Sequence, residues 1–320
     1  MKKVVVVGEI LVEIMADSRG TGFLEPIALT GPYPSGAPAI YIDQVAKLGQ
    51  ACAIISAVGA DDFGRVNLDR LTADGVDVSA VDVDPDRPTG TAFVRYRPDG
   101  SRDFVFNIKH SACGRLSSSD ATRRVLDTAD HFHVMGSSLS SSEFVALNLD
   151  AAGAVKSRGG SVSFDPNLRK EILKAPAMLD AMDRILAMAD LFLPSGDELF
   201  LLTQATETEA AIDELLARGI RAVVHKLGAN GVRYYDAEGA RSVPAFHVEE
   251  IDPTGAGDCF GGAFTALWLR GGDIDEALRL AAAAGALAVT QRGPMEGTSD
   301  LKQLTRFAEA QSAREPGQRV

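Results

Sequence analysis

The chain has 320 residues, 46% of them hydrophobic, a composition that supports a substantial core and lies outside the range of disordered chains. Its 32 basic and 44 acidic residues give a net charge of −12, which argues against binding to nucleic acid or to an anionic membrane, because both require a basic surface. No segment approaches the ~20 consecutive apolar residues of a membrane span.

Three cysteines, Cys52, Cys113 and Cys259, show no CxxC spacing and no neighbouring histidine cluster. This pattern disfavours a zinc site or a disulfide framework and predicts free thiols in a reducing compartment. The N-terminal apolar run is too short for a signal peptide and is followed by Glu9 and Glu13, so it is interpreted as a first strand. We therefore expect a cytoplasmic protein.

Short apolar strands alternate with helical segments through most of the chain. The predicted strands are apolar runs at residues 4–7, 53–58, 132–135, 162–164, 191–193 and 222–225. Segments with helical periodicity occur at residues 39–48, 64–72, 142–156, 179–188, 207–217, 255–270 and 274–290, so the last third is predicted to be mostly helical. This alternation predicts an α/β fold with a mainly parallel sheet flanked by helices and a ligand site at the carboxyl ends of the strands.

Two segments interrupt that alternation. Residues 11–35 are rich in glycine and proline, and residues 88–110 alternate apolar and polar side chains around the turn Pro98-Asp99-Gly100, a pattern typical of a β-hairpin. We predict that short strands from both segments form one small antiparallel sheet that acts as a lid. The expected domains are an α/β core at 1–10, 36–87 and 111–320, and a β lid at 11–35 and 88–110.

The heptad DPTGAGD at residues 252–258 opens a long predicted helix. Small residues at a helix start leave backbone N–H groups accessible, and the positive end of the helix dipole favours an anion there. Asp258 would repel a bound phosphate unless it accepts a proton from a substrate hydroxyl. Phosphoryl transfer requires both an anion site and such a base, so the heptad indicates a kinase that uses ATP on a small molecule.

Two other interpretations of the heptad remain open at this point. Thr254 could be a helix cap, with the glycines there for close packing and Asp258 interacting with the dipole. Residues 255–261 also match a loose GxGxxxG dinucleotide pattern, but helices follow where that fold requires a strand ending in an acidic residue. A GxxxxGK[ST] phosphate loop is absent from the sequence.

Five segments, in this order, resemble signatures of the ribokinase-family, or PfkB-type, carbohydrate kinases: GEILVE at 8–13, SGAPA at 35–39, DPNLR at 165–169, KLGANG at 226–231 and DPTGAGD at 252–258. The resemblance extends over residues 1–305 and is greatest to fructokinase, tagatose kinase and 2-keto-3-deoxygluconate kinase members. It implies a doubly wound, ribokinase-like α/β core with a small β lid, ATP as phosphoryl donor, Mg²⁺, a monovalent cation such as K⁺, and a homodimer formed through the lids.

The resemblance also implies roles for individual residues. The catalytic set consists of Asp258 as general base, the N–H groups of Gly255, Ala256 and Gly257 as an anion hole, and Arg169. The expected sugar contacts, besides Asp258, are Glu13, Gly36, Phe93, Arg102 and Phe106. The expected nucleotide contacts, besides the anion hole, are Ser195, Lys226, Gly228 and Gly231, and Glu198 is expected beside the metal.

The chain departs from the family pattern at several positions. Ser35 replaces the first glycine of the N-terminal signature, and Ile40 replaces an asparagine that contacts sugar hydroxyls. Ser195 replaces the asparagine of an N-x-x-E motif whose glutamate survives as Glu198. The run FNIK at 106–109 lacks the arginine with which ketodeoxygluconate kinases bind a carboxylate, although Lys109 or Arg102 could substitute.

The missing arginine favours a neutral sugar, such as the ketohexoses fructose or tagatose, over a sugar acid as the acceptor. A 2-keto-3-deoxygluconate kinase and a nucleoside kinase of the same family remain alternatives, and a non-catalytic sugar or nucleotide sensor is an alternative of another class. His131 and His133 share one face of a predicted strand and could bind a metal, but no third ligand is near, so a structural role is favoured.

Overall fold

A computed structural model of the protein describes residues 1–20, 22–98, 102–168 and 176–314. The strands in this part of the chain form two sheets, with nine α-helices between and beside them. In chain order the elements are β1 (Val4–Val7), β2 (Leu11–Arg19), β3 (Leu29–Ser35), α1 (Ala37–Lys47), β4 (Cys52–Gly59), α2 (Asp62–Asp74), β5 (Asp77–Asp84), β6 (Gly90–Tyr96), β7 (Arg102–Asn107), α3 (Asp120–Asp127), β8 (His131–Met135), α4 (Ser142–Ser157), β9 (Ser161–Asp165), α5 (Pro176–Leu186), β10 (Leu191–Phe192), α6 (Thr208–Ala217), β11 (Ala222–Lys226), β12 (Val232–Asp236), β13 (Gly239–Val243), α7 (Ala256–Arg270), α8 (Ile274–Ala288) and α9 (Leu301–Arg314).

The large sheet has nine strands in the order β13-β12-β11-β10-β9-β8-β1-β4-β5. Every pairing from β11 to β5 is parallel, and the two antiparallel pairings, β11 with β12 and β12 with β13, lie at one edge. The strand β1 lies near the middle, with Val4 aligned to Cys52 on one side and to His131 on the other. The predicted mainly parallel sheet is confirmed.

Helices cover both faces of the large sheet. Alternate residues of a strand point to opposite faces, and accordingly Val4 and Val6 join one apolar cluster while Val5 and Val7 join the other. The first cluster includes residues of α1, α2, α7, α8 and α9, and the second includes residues of α3, α4, α5 and α6. The fold is therefore doubly wound, as expected.

The second sheet has four strands in the order β3-β2-β6-β7. The pairs β2–β3 and β6–β7 are antiparallel, and a parallel pairing of β2 with β6 joins them, with Ile14 opposite Phe93. The predicted small sheet is confirmed, with the refinement that its central pairing is parallel. Its strands lie within the segments 11–35 and 88–110, while the division of the chain into domains at those residues stays a prediction.

Several elements were not foreseen. They are β5, α3, β12, β13 and α9, and the two strands β12 and β13 interrupt a region predicted to be mostly helical. The hairpin extends the large sheet beyond β11 by antiparallel pairing, for example of Val223 with Tyr235. Among the described residues, no helix combines the length and the apolar character needed to cross a membrane.

A polar cluster is buried between α1 and the strands β8 and β9. The ring nitrogens of His131 lie 2.7 Å from the hydroxyls of Ser161 and Ser163, and Nδ1 of His133 lies 2.7 Å from the same Ser163 hydroxyl. Tyr41 stacks on the His133 ring with centroids 3.7 Å apart. These contacts give both histidines a structural role.

We expect these two histidines to make the fold sensitive to mild acid. Burial lowers the pKa of His131 to about 3 and that of His133 well below its usual range. Both are thus neutral in the folded state, whereas the unfolded chain binds protons as the pH falls below about 6.5. Stability is therefore lost from pH 6.5 downwards, by about 2 kcal/mol per histidine between pH 7 and pH 5.

Urea unfolding at pH 7 and pH 5 measures this loss. His131→Gln should reduce the difference between the two free energies of unfolding, because one buried proton-binding group is removed. His110→Gln, at an exposed histidine, is the control and should leave the difference unchanged. If the free energy of unfolding fell by the same amount between pH 7 and pH 5 in the wild type and in His131→Gln, His131 would not be a source of the acid sensitivity.

Candidate active site

Three neighbouring parallel strands deliver polar residues to one edge of the large sheet. Asp165 is the last residue of β9, Ser195 follows β10, and Lys226 is the last residue of β11. The carboxyl ends of parallel strands point in the same direction, so these side chains meet the loop that leads into α7. The location agrees with the ligand site expected for such a sheet.

The start of α7 is built to leave backbone donors accessible. The first bond of the helix runs from the N–H of Cys259 to the carbonyl of Gly255, so the N–H groups of Ala256 and Gly257 precede the helical ladder. Gly255 adopts φ 82°, and a Cβ there would lie 2.6 Å from the carbonyl oxygen of Pro294. Only glycine fits this position, and the free start of the helix has the geometry of the anion site expected there.

A buried carboxylate fixes the loop before this helix. Oδ1 of Asp252 accepts hydrogen bonds from the N–H and the hydroxyl of Thr254, at 3.0 and 2.7 Å. Oδ2 of Asp252 accepts the N–H of Gly293 at 3.1 Å. Asp252 therefore ties the loop to the segment that follows α8 and holds the start of α7 in place.

Asp258 lies within the first turn of α7 and is 9% exposed. Its Oδ1 accepts a hydrogen bond from the side-chain amide of Asn167 at 3.0 Å. The carboxylate borders a cavity of about 260 Å³ that also reaches β2, β3 and β7. A carboxylate and an anion site thus share one helical turn, which is the arrangement that a general base beside a phosphoryl group requires.

The cavity beside Asp258 is lined by Glu13 and Gly36, two of the expected sugar contacts, and is called the sugar cavity after that expectation. Glu13 is 5% exposed, and its Oε1 accepts the hydroxyl of Ser35 at 2.8 Å. Ser35, which replaces a glycine of the family signature, thus orients the predicted sugar contact. Ile40 also lines this cavity and presents an apolar surface there.

Arg102 reaches across the sugar cavity from the small sheet. Its Nη1 donates to the hydroxyl of Thr254 at 2.5 Å and lies 3.8 Å from Oδ1 of Asp252. Phe104, two residues further along β7, lines the same cavity. The small sheet therefore covers the cavity and contacts the loop that leads into α7.

The structure does not bring the other two predicted lid residues to the sugar cavity. Phe93 pairs with Val105 and so lies on the sheet face opposite Arg102 and Phe104, where it contacts the ring of Phe23. Phe106 shares the face of Phe104 but lines a separate, open cavity of about 640 Å³ at the base of the hairpin. The hairpin was predicted, but the side chain that faces the site is Phe104.

Lys226 and Asp165 form an ion pair between the two strand ends. The ammonium nitrogen of Lys226 lies 2.5 Å from Oδ2 of Asp165, which is 2% exposed. The same nitrogen lies 3.8 Å from the position that a Cβ on Gly257 would take. A positive charge is therefore held beside the anion site at the start of α7.

The carboxylate of Glu198 accepts hydrogen bonds from two backbone N–H groups beside this ion pair. Its Oε1 accepts the N–H of Leu168 at 2.8 Å, and its Oε2 accepts the N–H of Ser195 at 2.7 Å. The Ser195 side chain in turn accepts the N–H of Glu198, which completes a capping box. Ser195 thus caps a short 3-10 turn in the position where the family pattern has asparagine.

The charge around Glu198 suits a cation. Burial and the neighbouring charge of Asp165 raise the pKa of Glu198, against the lowering effect of Lys226. A divalent ion would relieve that crowding of negative charge. Among the described residues no group of three or more His, Cys, Asp or Glu is placed to hold a metal ion. Mg²⁺ commonly takes one or two carboxylates and completes its shell with water and phosphate.

A second cavity of about 440 Å³, here called the nucleotide cavity, lies on the other side of the α7 start. The name follows the expected nucleotide contacts Gly228 and Gly231, which border the cavity, and its other walls include Val248, Phe260 and Val289. The two cavities share their lining at three residues: Lys226, Pro253 and Gly257. They therefore meet at the anion site.

Among the predicted site residues, Arg169 lies outside the described part of the chain. Sequence reasoning did not single out Asp165 or Asn167, although both belong to the DPNLR segment. Their position at the end of a buried parallel strand could have identified them as site residues, because polar residues there tend to face a ligand. Thr254 and Phe104 were likewise not assigned to the sugar cavity.

Comparison with known proteins identifies the family. Residues 1–301 match the profile described as pfkB family carbohydrate kinase. A fructokinase from Vibrio alginolyticus is 32% identical over 315 residues, which are 96% of this chain and 99% of that protein. A 2-dehydro-3-deoxygluconokinase from Thermoproteus tenax is also 32% identical over 315 residues, with 97% and 95% covered.

Among solved structures, a candidate ribokinase II from E. coli, in complex with ATP and Mg²⁺, superposes with a TM-score of 0.93 at 50% identity. The superposition covers 97% of this chain and 100% of that one. The ribokinase-like fold expected from the sequence motifs is thereby confirmed. The chain belongs to the pfkB family carbohydrate kinases and is a sugar kinase.

Proposed function

We propose that this protein transfers the terminal phosphoryl group of ATP to a hydroxymethyl group of a ketohexose such as fructose or tagatose. The observation that carries the proposal is the meeting of the sugar and nucleotide cavities at the start of α7, with Asp258 beside the junction. The acceptor oxygen forms the new bond to phosphorus while the bond to ADP breaks. Asp258 accepts the proton of the hydroxyl.

On the donor side, the walls of the nucleotide cavity are apolar around Val248, Phe260 and Val289, as a base-binding slot requires. The N–H groups at the start of α7 and the ammonium of Lys226 face the transferring phosphoryl group. The E. coli relative that was solved with ATP and Mg²⁺ supports this choice of donor. Glu198 and Asp165 would hold the metal, which supplies neutralisation of the phosphate charge.

On the acceptor side, Glu13 and the backbone at Gly36 are the proposed sugar contacts. The carboxylate of Glu13 is oriented by Ser35 and can accept hydroxyl protons of the sugar. Arg102 and Phe104 cover the cavity from the small sheet and exclude water, which would otherwise compete with the sugar for the phosphoryl group.

The charges that line the sugar cavity favour a neutral acceptor. In the described part of the chain its cationic side chains are Arg102 and Lys226, and each already contacts a carboxylate, that of Asp252 or Asp165. A sugar acid would compete with those contacts. The fructokinase relative supports the same choice of acceptor.

A 2-keto-3-deoxygluconate kinase is the second candidate. Arg102 lines the sugar cavity and could bind a carboxylate in place of an arginine from the FNIK segment, whereas Lys109 lies at the separate hairpin cavity. The Thermoproteus relative supports this alternative. A nucleoside kinase and a non-catalytic sensor, also considered from the sequence, are outcomes of the acceptor experiment below.

Three further expectations stay predictions. They are a homodimer through the small sheet, a requirement for a monovalent cation such as K⁺, and a cytoplasmic location. Leu29 and Val105 in the small sheet are 40% and 48% exposed, which is compatible with a contact between copies of the chain. The observations that support the proposed phosphoryl transfer do not include any of these three.

We expect Asp258→Asn to lower kcat by about 10²–10⁴-fold, because the amide cannot accept the hydroxyl proton while it keeps the shape of the side chain. The dissociation constant for ATP should stay within about twofold of the wild type, since the anion site is made of backbone N–H groups. Stopped assays of ADP release and titration calorimetry measure the two quantities. Asp69→Asn, at an exposed carboxylate of α2, is the control, and full activity in Asp258→Asn would remove the general-base assignment.

A panel of acceptors tests the substrate class. With fructose, tagatose, 2-keto-3-deoxygluconate and adenosine offered separately, we expect a ketohexose to stimulate ADP release most strongly. Preference for the sugar acid would favour the second candidate, and preference for adenosine would favour a nucleoside kinase. Thermal stabilisation by a sugar without ADP release in any reaction would contradict catalysis and favour a sensor.

A further inference from the structure

Asn167 lies between the end of β9 and the first turn of α7. Its side-chain amide donates to Oδ1 of Asp258 at 3.0 Å and to the sulfur of Met135 at 3.1 Å. Asn167 is far from Asp258 in sequence, so only the fold brings the two together. The two amide hydrogens are thus directed to one acceptor on the α7 side and one at the end of β8.

The backbone at Asn167 is held in an uncommon conformation. It has φ 37°, the left-handed region that asparagine tolerates better than most residues with a side chain. Oδ1 of Asp165 accepts the N–H of Asn167 at 3.1 Å, which closes a turn around Pro166. A Cβ at Gly136 would collide with the carbonyl oxygen of Pro166, so the glycine at the end of β8 provides room for this turn.

These contacts fix the amide before any substrate binds. A left-handed turn that is closed by a carboxylate and seated against Gly136 leaves the Asn167 side chain little freedom. Its amide can therefore orient the carboxylate of Asp258 at no further entropic cost during the reaction. Asparagine also suits the site because it is neutral, whereas an acidic residue would add another negative charge between Asp165 and Asp258.

We propose that Asn167 is a positioning residue that orients the Asp258 carboxylate toward the acceptor hydroxyl and favours its ionised form. This inference rests on the proposed role of Asp258 as general base. A hydrogen bond from a neutral donor stabilises a carboxylate over the protonated acid, so the base stays ionised and able to accept a proton at lower pH. Asn167 acts through Asp258 and does not itself take part in proton transfer.

Asp165 links this residue to the phosphate side of the site. One of its oxygens holds the turn at Asn167, and the other holds the ammonium of Lys226 at 2.5 Å. One buried carboxylate therefore sets both the orientation of the base and the position of the cation beside the anion site. A change at Asn167 should affect only the base, whereas Asp165→Asn should disturb ATP binding as well.

The test is the pH profile of two variants at position 167. Asn167→Gly removes the amide but readily adopts the left-handed backbone, and Asn167→Asp keeps the shape but replaces a donor with a negative charge. We expect kcat to fall about 10- to 100-fold in Asn167→Gly and further in Asn167→Asp, with KM for ATP within about twofold of the wild type. The acidic limb of the kcat profile should move to higher pH in both variants, and further in Asn167→Asp.

Met135→Leu is the matched control, because it removes the other acceptor of the Asn167 amide but keeps the contact with Asp258. We expect near-wild-type kcat and an unchanged pH profile in this variant. If Asn167→Gly kept the wild-type kcat and pH profile while Asp258→Asn was inactive, the positioning role would be wrong and the general base would stand. If Asp258→Asn were fully active, the proposed function and this inference would both fall.

Discussion

The constraint on which the rest of the site depends is that a carboxylate and an anion-binding helix start occupy the same turn of α7. In the proposed reaction, the positive end of the helix and the N–H groups before Cys259 attract the phosphoryl group, while Asp258 in the same turn repels it. The surrounding contacts reduce that conflict: Lys226 places a cation beside the anion site, and Asn167 donates a hydrogen bond to Asp258. Asp252 then fixes the loop that determines where the turn begins.

Much of the fold could be predicted because its central strands are short apolar runs between amphipathic helices. The strand β5 was missed because its sequence, DVSAVDVD, carries three acidic residues and a serine and lies at the edge of the large sheet, where burial is incomplete. The hairpin of β12 and β13 was missed because polar residues such as Arg233, Arg241 and Ser242 dilute its apolar pattern. Its stability comes from pairing with β11, which a local pattern does not reveal.

Motif position brought several expected site residues together: Glu13 and Gly36, expected as sugar contacts, and Glu198, expected beside the metal, all line one cavity, while their roles stay predictions. The sequence was less informative in the small sheet, because alternation reveals which residues share a face but not which face meets the core. Phe93 was therefore included among the expected sugar contacts although it lies on the opposite face, and Phe104 was overlooked. The contacts that join distant parts of the chain, such as the hydrogen bond from Asn167 to Asp258, follow only from the fold, which brings the turn after β9 to the start of α7.

In the proposed reaction, the base and the transferring phosphoryl group meet in the first turn of α7. The most direct measurement is a crystal structure with Mg²⁺, a non-hydrolysable ATP analogue and a ketohexose. We predict the terminal phosphate on the N–H groups of Ala256 and Gly257, with the hydroxymethyl oxygen about 2.6–3.2 Å from the carboxylate of Asp258. A terminal phosphate bound away from α7, or a sugar hydroxyl held by other residues beyond reach of Asp258, would contradict it.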